Sequence, residues 1–304
     1  MCIRDSVEND YIFLNKTAQK MAEASHQPVI TLPKENSYAA FEDYLQTLKP
    51  QLANRRFLLM LDEAELIFNT RFTSQLADFL RALMQGHQHP VLLLFCGTYL
   101  LKHLSREYYS IFFNTVEFKK ISYMNAQESA EVLTKPTTDI LQYDPDSLKT
   151  AYVLTNGQPL LLQTIGKHII ENFNEAVRNG EERSHYVGSN DLDKAADSLI
   201  KNGSPAFEQH WQDNQGAAHY VLSALAWTID EINRPRLDQN GLLAIMQQKS
   251  LLVPDNEVFT ILERLTEEEI LVRENVAYRF AVPLYRRWIA WRWSPELVRN
   301  EPLT

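Results

Sequence analysis

The feature that most constrains this chain is an uninterrupted apolar run that ends in two acidic residues. Residues 57–61 have no polar side chain, and Asp62 and Glu63 follow them directly. A continuous apolar run, unlike an alternating one, is typical of a strand covered on both faces within a parallel α/β sheet. Ligands of such sheets bind at the carboxyl ends of the strands. The run therefore predicts a buried strand whose acidic end lies at a ligand site.

The surrounding sequence predicts further strands and helices in alternation, which implies right-handed crossovers and a parallel sheet. The predicted elements are strands over 11–14, 91–96 and 116–118, and helices over 37–48 and 72–85 with Gly86 as a C-cap. After Ser122 the pattern changes to helices, and Asn125 with Glu128 predicts a capping box. From about residue 217, three helices precede a hairpin, which is the pattern of a winged helix-turn-helix.

Asp62 and Glu63 have the chemistry that a phosphoryl-transfer site requires, namely Mg²⁺ placed against the phosphates and a water aligned for attack. Asp62 is the candidate for holding Mg²⁺ through a water, Glu63 for orienting the attacking water, and Glu65 for supporting them. The alternative is that these acidic residues merely cap the helix that follows the strand. After the next strand, Thr98 is the candidate for sensing the γ-phosphate, or else it only turns the chain after Gly97.

Four segments in a fixed order resemble the bacterial AAA-like ATPases of the STAND signalling class. They are FLLMLDEAE, VLLLFCGTYLLKHL, REYYSIFFNTVEFKKISYMNAQESAEVLTKP and YDPDSLKTAYVLTNGQPLLLQTIGKHII. The resemblance covers residues 11–293, and its most specific part is 62–163. It implies a parallel P-loop NTPase-type α/β sheet, incomplete here, over 1–122, an α-helical lid over 123–214 and a winged-helix domain over 215–304.

The resemblance also implies ATP and Mg²⁺ as ligands and a signal-transduction ATPase as the function. It makes Asp62 the Walker B aspartate, Glu63 the catalytic glutamate and Thr98 part of the sensor. Gly157 and Pro159 match a Gly-x-Pro element that lies beside the nucleotide base and couples it to the lid. The residues alone indicate a tight turn at Gly157 and a helix that begins at Pro159.

One element of the family pattern is absent from the sequence, the loop GxxxxGK[ST] whose backbone amides cradle the phosphates. The nearest match, Asn15-Lys16-Thr17, lacks both glycines. We therefore expect an N-terminally truncated chain, which alone neither binds ATP tightly nor hydrolyses it. The alternatives are a non-enzymatic binding or scaffold module, and a DNA-binding winged-helix regulator with a degenerate ATPase domain.

Composition limits the classes of partner and the cellular compartment that we expect for this protein. The net charge of −9 disfavours broad affinity for nucleic acid or anionic membranes. Two cysteines give no disulfide framework, and the longest apolar stretch is far short of the roughly 20 residues of a membrane helix. We expect a cytoplasmic protein that binds ATP and an unidentified protein partner or effector. The oligomeric state, a homo-oligomer included, is left open.

The predicted winged helix has two interpretations. Its candidate recognition helix, residues 256–265, contains Glu257 and Glu263, which disfavours contacts with DNA phosphates. Four arginines nearby offer a local basic patch: Arg279, Arg286, Arg287 and Arg292. We favour a domain that packs within the molecule, and the resemblance to the STAND class implies that such a domain holds the ATPase closed. The tryptophans of the last helix, Trp288, Trp291 and Trp293, are expected to pack in its core.

Overall fold

The structure is a computed structural model, and it describes residues 2–3, 9–68, 72–85, 89–98, 116–182 and 184–300. The chain divides into two compact units, Met1–Lys119 and Lys120–Thr304. The three domains expected from the sequence stay a prediction. No helix in the described ranges is long and apolar enough to cross a membrane.

The first unit is a small parallel sheet with helices. Its elements are β1 (Cys2–Ile3), α1 (Asp10–Ala24), α2 (Ser37–Leu52), β2 (Phe57–Leu61), a 3-10 helix (Ala64–Phe68), α3 (Ser74–Met84) and β3 (Val91–Phe95). The strand order is β1-β2-β3, and both pairs are parallel. Phe57 lies opposite Val91, and Leu61 lies opposite Phe95. The two strongest sequence predictions, β2 and β3, are therefore adjacent strands. The predicted cap Gly86 lies outside the described residues.

The expectation that β2 and β3 are covered on both faces is wrong for the described residues. Leu59 and Leu61 are 1% and 2% exposed and belong to the core formed with α1, α2 and α3. The alternate residues Leu58, Leu92 and Leu94 are 49%, 48% and 45% exposed. Neighbouring side chains of a strand point to opposite faces, so apolar composition alone did not reveal which face is covered.

The strand predicted over residues 11–14 is instead the first part of helix α1. Asn9 caps this helix, because its side chain accepts a hydrogen bond from the Ile12 amide at 3.0 Å. The buried residues of α1 recur at helical spacing: Phe13, Leu14, Thr17, Ala18, Met21 and Ala22. Residues 116–118, weighed as a third strand, have no regular secondary structure, and Phe118 is 50% exposed.

The second unit is predominantly helical. Its helices are α4 (Ala126–Thr134), α5 (Pro145–Thr155), α6 (Pro159–Arg178), α7 (Ser189–Asn202), α8 (Pro205–Asp213), α9 (Ala217–Thr228), α10 (Gln239–Gln248), α11 (Asp255–Glu267), α12 (Pro283–Arg292) and α13 (Pro295–Val298). Its strands are β4 (Gln142–Tyr143), β5 (Tyr186–Val187), β6 (Leu237–Asp238), β7 (Leu271–Glu274) and β8 (Ala277–Phe280). β4 pairs with β5, and β6, β8 and β7 form an antiparallel sheet in that order.

Local sequence signals account for several helix starts in this unit. The predicted capping box is confirmed, since the Asn125 side chain accepts from the Glu128 amide at 3.0 Å and the Glu128 carboxylate accepts from the Asn125 amide at 2.9 Å. Asp238 caps α10 by accepting from the Gly241 amide at 2.7 Å. Helix α9 is buried from Ala218 to Ala226, and the residues of α10, α11 and α12 that bury a side chain share its core.

The tryptophans of the last helices differ in their surroundings. Trp288 is fully buried, and Trp293 is partly buried, its ring stacked on Trp211 at 5.0 Å between centroids. Trp291 is 55% exposed, so the expectation that it packs in the core is wrong. The buried side of this helix is formed by Leu284, Tyr285, Trp288 and Ile289, and at 3.6 residues per turn Trp291 lies roughly 90° from the centre of that side, in the last turn.

Candidate functional site

The two acidic candidates lie directly after the carboxyl end of β2. Asp62 and Glu63 are both exposed at the surface of the first unit. Glu63 has a φ of 51°, in the left-handed region that residues other than glycine rarely adopt. Its amide donates a hydrogen bond to Asp62 Oδ1 at 3.2 Å. The chain therefore turns sharply at the strand end and presents two consecutive carboxylates there.

The neighbouring strand ends at the same edge of the sheet. The Cys96 amide donates to the Leu61 carbonyl at 2.8 Å, and the Cys96 carbonyl accepts from the Ala64 amide at 2.9 Å. This pair of bonds fixes the segment after β3 against the turn that carries Asp62 and Glu63. The structure thus places the predicted Thr98 on the same edge as the predicted acidic pair.

Glu65 connects the two strand ends. Its Oε1 accepts hydrogen bonds from the Thr98 hydroxyl at 2.8 Å and from the Thr98 amide at 3.2 Å. Its Oε2 is buried and has no hydrogen-bond partner among the described residues. A buried carboxylate oxygen left without a donor is costly, and such exceptions call for an explanation. The two hydrogen bonds to Oε1 orient Thr98, and this contact could not be read from the sequence.

Gly157 and Pro159 lie in the second unit, at the turn between α5 and α6. Gly157 is buried with a φ of 74°, and its carbonyl accepts from the Met124 amide at 3.0 Å. The Gln158 side chain caps α6 by accepting from the Leu161 amide at 2.8 Å, and Pro159 is in the first turn. The tight turn and the helix start predicted here are confirmed, whereas a nucleotide-binding role for these residues stays a prediction.

Comparison with known proteins identifies the architecture. No family model matches the chain, and no curated protein matches it. The Walker-type ATPase paby2304 of Pyrococcus abyssi aligns with a TM-score of 0.57 and 14% identity, over 92% of this chain and 79% of that one. The chain shares the fold of a Walker-type ATPase. The ADP form of the Aeropyrum pernix ORC2 protein has a TM-score of 0.46 and 13% identity, over 97% and 75% of the two chains. The Thermotoga maritima RuvB Holliday junction branch migration motor has a TM-score of 0.39 and 12% identity, over 88% and 89%.

The nearest sequence match to a phosphate loop is not a loop in the structure. Asn15-Lys16-Thr17 lies within α1, where Thr17 is buried and its hydroxyl donates to the Phe13 carbonyl at 2.7 Å. Asp10, at the start of α1, accepts from the Tyr38 hydroxyl at 2.6 Å and from the Thr73 amide at 3.1 Å. A regular helix makes its own backbone hydrogen bonds, so this segment offers no cradle for phosphates.

The donor set at the end of β2 suits a hydrated magnesium ion. Mg²⁺ commonly keeps several waters and takes one or two carboxylates together with phosphate oxygens. Asp62 and Glu63 provide two exposed carboxylates. Among the described residues no group of three or more His, Cys, Asp or Glu side chains could hold a metal ion. Asp62 and Glu63 are thus carboxylates of the kind that Mg²⁺ takes together with phosphate oxygens and water.

Proposed function

We propose that this chain is part of a nucleotide-dependent signalling ATPase of the STAND type. The observation that carries the proposal is the position of Asp62, Glu63 and Thr98 after the carboxyl ends of two adjacent parallel strands. Open α/β sheets bind their ligands at this edge. The Walker-type ATPase fold supports the same function.

Each residue at this edge has a separate role in the proposal. Asp62 holds Mg²⁺ through a water, which lets the ion neutralise charge on the phosphates. Glu63 accepts a hydrogen bond from the attacking water and orients it in line with the γ-phosphate. Thr98, oriented by Glu65, responds to the presence of that phosphate. This sequence contains no GxxxxGK[ST] loop, so the proposal requires that another segment of the complete protein cradle the phosphates.

The second unit would transmit the nucleotide state. Gly157 and Pro159 would lie beside the base within a helical lid formed by residues 123–214. Residues 215–304 would form a winged helix, a proposal supported by helices α9, α10 and α11 followed by the β7–β8 hairpin. This domain would hold the ATPase closed or contact a protein effector.

The first test is the substitution Glu63→Gln in the complete protein, including the sequence upstream of this chain. Removing a group that orients and activates water typically costs 10²–10⁴-fold, so ATP turnover should fall by about 100-fold or more. ATP binding, measured by calorimetry, should persist because glutamine keeps the shape of the side chain. Glu35→Gln, an exposed substitution in the same unit, should leave turnover unchanged. Normal hydrolysis by Glu63→Gln would exclude the proposed role of Glu63.

The second candidate function is a non-enzymatic scaffold, which the missing phosphate loop favours. The upstream coding sequence separates the two functions. An ATPase requires a glycine loop there, whereas a scaffold requires none and predicts no ATP binding by the complete protein. The finding of a loop together with Mg²⁺-dependent ATP binding would eliminate the scaffold.

DNA binding by the second unit is not expected, because the arginines of the candidate basic patch are in ion pairs. Arg279 pairs with Glu274 at 2.6 Å, Arg286 with Glu231 at 2.6 Å, Arg287 with Glu231 at 3.6 Å, and Arg292 with Glu208 at 3.2 Å. An arginine already paired with a carboxylate gains less from a phosphate, and phosphate contacts dominate DNA affinity.

We therefore predict that these four arginines cause no mobility shift of duplex DNA at physiological salt. The measurement is an electrophoretic titration at several salt concentrations, with a basic DNA-binding protein as the positive control. Glu257→Gln/Glu263→Gln, which removes two negative charges from α11, serves as the matched variant and should also fail to bind. A shift by the parent chain that weakens as salt rises would contradict the prediction and favour the DNA-binding regulator.

A further inference from the structure

A cavity in the first unit lies at the end of β2 opposite to Asp62 and Glu63. It has a volume of about 410 Å³ and is formed by the last turns of α1 and α2 and by the start of β2 at Phe57. Pockets that bind small organic ligands have volumes of roughly 300–1,000 Å³. The cavity is therefore large enough for a small molecule.

The inner wall of this cavity is apolar. Met21, Leu48, Leu52 and Leu59 line it, and each is less than a tenth exposed. These side chains belong to the core of the unit, so the wall is held in place by packing. These four side chains have little accessible surface left, but Leu58, 49% exposed, and the half-buried Phe57 also line the cavity and offer apolar surface to the hydrocarbon or aromatic body of a ligand.

The rim of the cavity is cationic. Arg55 and Arg56, in the segment between α2 and β2, are exposed and line it together with Lys20. Within the described part of the chain, neither guanidinium forms an ion pair or a side-chain hydrogen bond. No aspartate or glutamate is among the described residues that line the cavity. Two neighbouring arginines with no carboxylate partner among the described residues stand out in a chain of net charge −9.

Two carbonyl groups at the end of α1 are already occupied by hydrogen bonds within the chain. The Met21 carbonyl accepts from the Ser25 amide at 3.0 Å and from the Ser25 hydroxyl at 2.7 Å. The Ala22 carbonyl accepts from the Gln27 amide at 2.9 Å. Carbonyl groups at a helix end would otherwise attract cations. The charged groups at the rim, Lys20, Arg55 and Arg56, are hydrogen-bond donors. Charged donors favour an anionic head group.

We propose that this cavity binds a small amphiphilic anion, with a carboxylate or phosphate head against Arg55 and Arg56 and an apolar body against the inner wall. Arginine suits this role because its planar group can donate two parallel hydrogen bonds to either head group. The proposal does not depend on the ATPase function, because the cavity lies at the amino end of β2 and the acidic pair at the carboxyl end.

The test is isothermal calorimetry of the purified chain with four octyl probes below their aggregation limits. Octanoate and octyl phosphate carry the two head groups, and octanol and octyltrimethylammonium are the neutral and cationic controls. At least one anion should bind more tightly than both controls by about 10-fold, the effect of one charge-assisted hydrogen bond. The tighter of the two anions identifies the head group.

Matched variants locate the binding. Arg55→Gln/Arg56→Gln should weaken binding of the preferred anion by about 10-fold or more, because its head-group contacts are lost. The affinity for octanol should not change. Arg81→Gln, on α3 and outside the cavity, should leave the affinity unchanged. Both changes are at positions outside the core, and a thermal melt confirms folding. Equal binding of anions and controls, or anion binding that survives the double substitution, would overturn the proposal.

Discussion

Replacing Gly157 with alanine is expected to destabilise the second unit by about 3 kcal/mol or more, the combined cost of backbone strain and a buried clash. A Cβ atom at this position would lie 2.0 Å from the Met124 carbonyl oxygen and 2.9 Å from its carbon. Both atoms are backbone, so no side chain can rotate away. The hydrogen bond from the Met124 amide to the Gly157 carbonyl, 3.0 Å long, holds the two segments together.

The measurement is the thermal unfolding midpoint, which should fall by roughly 6–12 °C for a loss of this size. Gly180→Ala is the matched control. Gly180 has a φ of 72°, close to the 74° of Gly157, but an added Cβ would meet nothing within 4 Å. It should therefore cost about 1 kcal/mol, the penalty of a left-handed backbone alone. Equal losses in the two variants would show that contact with Met124 is unimportant.

This test also separates two explanations for the Gly-x-Pro element. If Gly157 were required only for contact with a nucleotide base, alanine would impair ATP binding and leave the unfolding midpoint of the nucleotide-free chain unchanged. The contact with Met124 predicts instead that the nucleotide-free chain loses stability. Both effects can coexist, and nucleotide binding by folded Gly157→Ala in the complete protein measures the second contribution.

The strand ends at the candidate site could be predicted from the sequence because they depend on simple patterns. A continuous apolar run followed by Asp62 and Glu63 is a strong local signal, and so is the run before Thr98. Parallel neighbours end at the same edge, so pairing β2 with β3 brings the candidates to one place. The left-handed turn at Glu63 and the hydrogen bond from Thr98 to Glu65 could not be predicted, because they depend on how the turn closes.

Two predictions for the first unit were wrong: the strand over residues 11–14 and the burial of both faces of β2 and β3. Residues 11–14 are apolar and are compatible with a strand or a buried helix, and short apolar runs do not separate the two by periodicity. The cap at Asn9 and the helical spacing of the buried residues as far as Met21 show that this segment is a helix. The exposed Leu58 and Leu92 show the same limit, because composition records that a side chain is apolar and not which surface covers it.

Replacing Trp288 with alanine should cost about 4 kcal/mol, the usual penalty for removing a large buried aromatic side chain. Trp288 is fully buried, with ring centroids 5.8 Å from both Phe207 and Tyr285. Phe207 belongs to α8, a helix that the sequence did not predict, so Trp288 joins α8 to α12. Loss of the ring leaves a cavity between the two helices that neighbouring side chains fill only in part.

Trp291→Ala is the control, since it removes the same side chain from the same helix at a position that is 55% exposed. It should cost less than about 1 kcal/mol, as for most exposed substitutions. Trp288→Phe adds a second control, because the indole nitrogen of Trp288 is buried without a hydrogen-bond partner among the described residues. Phenylalanine keeps most of the aromatic packing and removes that unsatisfied donor. The decrease in the free energy of unfolding of Trp288→Phe, measured by chemical denaturation, should therefore be closer to that of Trp291→Ala than to that of Trp288→Ala. The reverse order would mean that the indole makes a contact beyond packing.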